Sequence, residues 1–175
     1  MNAIAIQPSL GYNANIMAFK AFLTYSLDPS EQALAWRLQT LAASHGIEMY
    51  VPRRARGVAT LPGATSIESA LDRSDCVLAI ITSRVDASVQ AELKYASQKN
   101  KVVIPIVQSD FASHPLLAKF PRVFTFSPSD NPGKLESEIV EFLKTQKLDK
   151  EKRQAIGALV AVGLGLLLLQ AFSEK

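Results

Sequence analysis

CVLAIITSRVDASVQAELKYA, from Cys76 to Ala96, decides the fold, because its hydrophobic pattern changes period halfway along. Val77 to Ile81 is a continuous apolar run of strand length, and a strand apolar on both faces is covered on both, as in a parallel sheet between two helix layers. In Ser88 to Ala96 the apolar residues Val89, Leu93 and Ala96 recur at i, i+4 and i+7, the spacing of an amphipathic helix. Glu92 borders that apolar stripe. In open parallel sheets ligands bind beyond the carboxyl ends of the strands, at the switch point, and the helix after a strand begins there. A carboxylate at that place can reach a ligand, so Glu92 suggests an enzyme.

The same alternation extends in both directions. Ala21 to Tyr25 reads as a first strand; Asp28 and Pro29 bring turn chemistry before a helix over about Ser30 to Ser44, with Leu34, Leu38 and Leu41 at helical spacing and Gly46 at its end. Ile47 to Val51 is a second strand. A loop with Pro52, Gly57, Pro62 and Gly63 follows, then a short helix over Thr65 to Arg73 and the third strand, Cys76 to Thr82. Beyond the Glu92 helix come a fourth strand (Val102 to Val107), a fifth (Val123 to Phe126) and a last helix over about Pro132 to Lys144. Pro105 lacks a ladder donor, so the fourth strand is expected to be irregular or locally unpaired there. Trp36 and Tyr95 are expected in the core.

Composition narrows the classes. The chain has 175 residues, 48% hydrophobic and 20% charged, which suits one globular domain plus an appendage. Residues 1–143 carry 13 Lys and Arg against 13 Asp and Glu, whereas residues 144–175 carry 6 against 3, so the net charge of +3 lies in the tail. A neutral domain argues against a nucleic-acid-binding face. Cys76 is the only cysteine, so no internal disulfide forms, and it reads as a small buried hydrophobe. His45 and His114 are the only histidines and stand apart from any acidic or Cys-rich cluster, so no metal site of ordinary spacing is expected.

The ends read differently from the domain. Ala155 to Phe172 (AIGALVAVGLGLLLLQAF) runs 18 residues without a charge, about the shortest helix that spans a bilayer. Lys144, Lys147, Lys150, Lys152 and Arg153 precede it, so the positive-inside rule makes it a C-terminal anchor with the domain cytoplasmic. Gly157, Ala161 and Gly165 line one face of that helix, where a second copy can approach. The expected organisation is an extension over residues 1–17, a domain over 18–145, a basic linker over 146–154 and a transmembrane helix over 155–172. The extension lacks the basic start and apolar run of a signal peptide; the alternatives are a start at Met17 or an added edge strand through Ala3 to Ile6.

Three pieces of the chain, in this order and spacing, resemble a Toll/interleukin-1 receptor (TIR) domain over roughly residues 18 to 145. KAFLTYS (Lys20 to Ser26) is similar to the first-strand box, LPGATSIESAL (Leu61 to Leu71) to the second box with its Pro-Gly turn, and VQAELKYA (Val89 to Ala96) to the helix carrying the catalytic Glu of NAD-cleaving members. Lys20-Ala21 replaces a common acidic residue, Ser88-Val89 stands where a Trp-Cys pair is frequent, and a Phe-Trp third box is not recognisable. The resemblance implies a flavodoxin-like α/β fold, a five-stranded parallel sheet of order 2-1-3-4-5 with helices on both faces.

It also implies chemistry. NAD is then the substrate, with no further cofactor, and Glu92 is the catalytic carboxylate that steadies the ribose cation as nicotinamide leaves, an electrostatic task suited to a fixed charge in a dry site. Ser88, one turn earlier, is placed to bond a ribose hydroxyl or the carboxylate, or else to cap the helix. Arg53, Arg54 and Arg56 suit a pyrophosphate, and Tyr25 and Ser26 border the same crevice. Leu61, Pro62 and Gly63 form the loop by which such domains assemble. The expected protein is a membrane-anchored NAD glycohydrolase or ADP-ribose cyclase of antiphage defence, switched on by self-association through this loop and the anchor, with other TIR proteins as further partners. The alternatives are a non-enzymatic TIR scaffold and a nucleoside deoxyribosyltransferase-like enzyme. A phosphoacceptor receiver is disfavoured because the third strand ends at Thr82-Ser83, and a Rossmann dehydrogenase because the Gly-rich fingerprint is missing.

Overall fold

The computed structural model describes residues 18–53, 66–82, 85–127 and 129–151. Strands β1 (Phe19–Thr24), β2 (Ile47–Tyr50), β3 (Cys76–Ile81), β4 (Val102–Gln108) and β5 (Phe124–Phe126) alternate with helices α1 (Pro29–Ser44), α2 (Ile67–Arg73), α3 (Ala87–Gln98) and α4 (Pro132–Glu151). The strands form one five-stranded sheet of order β2-β1-β3-β4-β5, with every neighbouring pair parallel. The expected α/β class and strand order are therefore found. The switch point lies between β1 and β3, where the chain turns from building one side of the sheet to building the other.

The apolar run of β3 serves both faces. Cys76, Leu78 and Ile80 pack toward α1 and α4 with Leu34, Leu38, Ile139 and Leu143, while Val77, Ala79 and Ile81 pack toward α2 and α3 with Leu71, Val89 and Leu93. Each fully buried Leu or Ile contributes about 1.5–3 kcal/mol of transfer free energy, so both layers hold the sheet. Cys76 is one of these buried side chains. Trp36 departs from expectation: it lies on α1 with 58% of its surface exposed, because the inward stripe of that helix is taken by Leu34, Ala35, Leu38 and Ala42. Tyr95 is half-buried, its hydroxyl donating to Asp72 at 3.1 Å.

Local chemistry sets the helix ends. Asp28 caps α1 by accepting from the Ser30 amide at 2.8 Å, and Pro29 starts the helix where a missing N–H costs nothing. Gly46 follows α1 with φ of +66°, the left-handed turn that glycine tolerates best. β4 runs through Pro105 without interruption, paired there with Ala79 of β3; β5 covers β4 only from Ile106 onward, so the outer edge beside the proline has no strand to serve. α4 continues to Glu151, past the expected end at Lys144, because the sequence KTQKLDKE contains neither Gly nor Pro and is rich in helix formers. The extension over 1–17 and the apolar segment over 155–172 lie outside the described residues. Among the described residues no helix is long and apolar enough to cross a membrane.

Candidate active site

α3 begins at the sixth residue past the end of β3, and Asp86 sets its first turn by accepting from the Val89 amide at 2.8 Å. The cap is thus Asp86, and Ser88 sits exposed in the first turn. With Val89, Leu93 and Ala96 held against the sheet, the next position round the helix, Glu92, is drawn into the layer between sheet and helices and is only 3% exposed. Its negative charge reaches Tyr50 at the end of β2. Burial raises the pKa of that phenol above its ordinary value, the Glu92 carboxylate raises it further, and Arg73 opposes both. Tyr50 in turn stacks on Phe22 of β1, ring centroids 5.4 Å apart. Glu92, Tyr50 and Phe22 therefore form one cluster on the α2/α3 face, beside the place where β2 runs out into the Arg-bearing loop.

The remaining sequence candidates separate. Tyr25 is buried in the α1/α4 layer, and its hydroxyl donates to the Pro52 carbonyl, tying the end of β1 to the chain leaving β2. Ser26 is half-buried at the end of β1. Arg53 is exposed; Arg54, Arg56 and the assembly loop Leu61, Pro62 and Gly63 lie outside the described residues.

One buried carboxylate was not singled out in the sequence. Glu31, in the first turn of α1, is 1% exposed and accepts from the Ser26 amide at 2.6 Å, the Thr82 amide at 3.1 Å and the Thr82 hydroxyl at 2.5 Å. It fastens the carboxyl ends of β1 and β3 to each other across the switch point. The spacing Asp28 to Glu31 carries the signal, since a Glu three residues past a cap commonly reaches back to a backbone N–H; here it reaches two residues further, to Ser26. On the same side, a cavity of about 230 Å³ opens between α1, α4 and the ends of β3 to β5, and Glu92 is not among its walls.

No family model and no curated protein matches the chain. Among solved structures it is similar to BlsM, determined in solution, with a TM-score of 0.53 and 15% identity over 80% of this chain and 98% of that one. It also matches the CMP N-glycosidase BcmB of Clostridium botulinum (TM-score 0.46, 16% identity, 73% of this chain and 98% of that one). A conserved protein from Enterococcus faecalis V583 gives a TM-score of 0.47 at 13% identity, over 74% of this chain and 99% of that one. At such identities the likeness is one of fold.

Proposed function

We propose that this chain breaks the N-glycosidic bond of a nucleotide, with NAD as the substrate and Glu92 as the carboxylate that meets the sugar. The observation that carries the reading is the burial of Glu92 at 3% exposure beside Tyr50, on the helix that follows the central strand. A solubilising glutamate on a helix border stays in water; this one is inside. The TIR resemblance of the three sequence boxes adds the choice of NAD.

The chemistry asks little of the protein. The C1′–N bond breaks with its electron pair going to the pyridinium nitrogen, so nicotinamide leaves neutral and positive charge develops on the ribose. A carboxylate in a dry layer stabilises that charge far more than one in water does. Water then adds to C1′ and loses a proton to give ADP-ribose, or a nucleophile of the same nucleotide closes a ring. Arg53, Arg54 and Arg56 are the candidates for the pyrophosphate, and Ser26 and Ser88 for the nucleotide's polar groups; Tyr25, expected beside them, is instead buried in the α1/α4 layer with its hydroxyl committed to the Pro52 carbonyl. Self-association through Leu61 to Gly63 and the apolar segment 155–172 would bring the protein to a membrane in its active form, with the domain cytoplasmic.

The test is chromatography of NAD products from the full chain clustered on liposomes, wild type beside Glu92→Gln. Nicotinamide is expected from the wild type, with release slowed about a hundredfold or more in the variant, the scale seen when one transition-state-stabilising group is removed. NAD left intact over hours, or a variant of full activity, overturns the reading. Base exchange between a deoxynucleoside and a free base would instead identify a transferase, and signalling untouched by Glu92→Gln a scaffold.

A further inference from the structure

We infer that the cavity between α1 and α4 is a second ligand site, on the face of the sheet opposite Glu92, and that it takes a single-ring, N–H-bearing heterocycle such as a free base. It is lined by α1, α4 and the carboxyl ends of β3, β4 and β5, the edge where open parallel sheets bind ligands. Its volume of about 230 Å³ falls below the roughly 300 Å³ at which pockets for drug-sized molecules begin, so one ring is the natural occupant.

The walls define the chemistry. Leu34, Leu135 and the Phe126 ring make apolar surface that a planar ring covers well and a sugar covers poorly, since each sugar hydroxyl would lose its water. Set into that surface is Glu136, 3% exposed, whose Oε1 accepts from Arg37 Nε at 2.6 Å while Oε2 has no hydrogen-bond partner. A buried acceptor without a donor is uncommon in folded proteins and calls for one. Arg37 cannot serve both oxygens through the one N–H it commits here, and it is itself about half exposed. With Asp130, which accepts from the Ser127 amide at 2.9 Å, also on the rim, the lining holds two carboxylates and one guanidinium, so the site favours a neutral or cationic donor over a phosphate. Gln108, at the end of β4, offers an amide that both donates and accepts, as a base edge requires.

Binding of nicotinamide, cytosine, uracil and ribose to the full chain, by isothermal titration calorimetry, tests the site. At least one base is expected to bind at millimolar concentration or tighter, and ribose not at all. Ala33→Phe, which fills the cavity from the α1 wall, should abolish base binding, and Glu136→Gln should weaken it about tenfold, the scale of one hydrogen bond to a charged acceptor. Heteronuclear NMR of each variant confirms that it is folded, and if one variant is not, the other decides. No base bound, ribose bound as well as any base, or unchanged affinity in a folded variant overturns the assignment. The outcome is independent of NAD cleavage, because neither Ala33 nor Glu136 touches the Glu92 cluster; NAD turnover that stays intact while base binding is lost separates the two sites.

Discussion

Glu31 and Glu92 are both carboxylates on helices that follow a strand, both almost wholly buried, and they lie on opposite faces of one sheet. Glu31 spends its charge on three donors from the ends of β1 and β3, and so works as a staple across the switch point. Glu92 is buried on α3, on the face of the sheet that also carries the Phe22–Tyr50 ring pair, and its charge raises the pKa of the Tyr50 phenol. Burial alone therefore does not mark a catalytic carboxylate. A charge met by backbone donors at the strand ends holds the fold, whereas the role proposed for Glu92 asks that its charge act on a bound sugar.

The sharpest way to break this contrast is to compare the two residues by activity and by stability at once. Glu92→Gln is expected to cost about a hundredfold or more in nicotinamide release while leaving the urea midpoint close to that of the wild type. Glu31→Ala should do the reverse in stability. It strands two backbone amides and a hydroxyl, each worth about 1–3 kcal/mol when left unsatisfied, and some will find water, so a loss of roughly 3 kcal/mol is expected on chemical denaturation. Glu31→Gln, which keeps one acceptor oxygen, should lose less. A drop below about 1 kcal/mol for the alanine variant would mean that the strand ends hold each other without the staple.

How much of this was written in the sequence follows from the range of the interactions concerned. The strands and helices are periodic features, so the runs at Val77 to Ile81 and the stripe of Val89, Leu93 and Ala96 announced them. The strand order came with the resemblance. That Glu92 lies at the buried side of α3 was legible because its place in the helix is fixed by that same stripe. Glu31 was not, because its donors are Ser26, five residues before it, and Thr82, just past the end of β3 and 51 residues later, and no local pattern encodes the second contact. Trp36 misled for a related reason: aromatic residues are usually buried, but which face of α1 turns inward is decided by the packing of its leucines and alanines. The cavity at Glu136 depends on α1 and α4 meeting across 99 residues of chain.

A smaller effect concerns the turn that brings α1 back to β2. Gly46, at φ of +66°, also faces the Lys147 ammonium, which donates to its carbonyl at 3.1 Å; an added Cβ would stand 3.0 Å from that nitrogen. The lysine end is flexible and can move aside, so the backbone decides. Gly46→Ala should cost about 1–2 kcal/mol, the penalty of a left-handed residue with a side chain, read as a fall in the urea midpoint with unchanged slope. This is local strain on the α1/α4 side and should leave Glu92-dependent turnover as it was. A variant that lost turnover in proportion to stability would show that the two faces are less separate than the packing implies.

The smallest expected effect probes the Glu92 field directly. The neutral form of a tyrosine is the protonated one, so burial and a neighbouring carboxylate both raise the pKa of Tyr50 above its ordinary 10.0. With the folded pKa above the unfolded one, Tyr50 adds no pH dependence well below pH 10; as pH rises past 10, the unfolded chain ionises first and the folded state loses stability until the folded phenol ionises too. Glu92→Gln removes one of the two raising causes and leaves burial, the larger one. Tyrosinate absorbance should therefore develop at lower pH in the variant, and the alkaline loss of stability should shrink. The chain has 4 tyrosines, so Tyr50→Phe is needed to identify the component that moves. If that component titrates alike with Glu or Gln at position 92, the carboxylate does not act on Tyr50, and its field no longer sets Glu92 apart from Glu31.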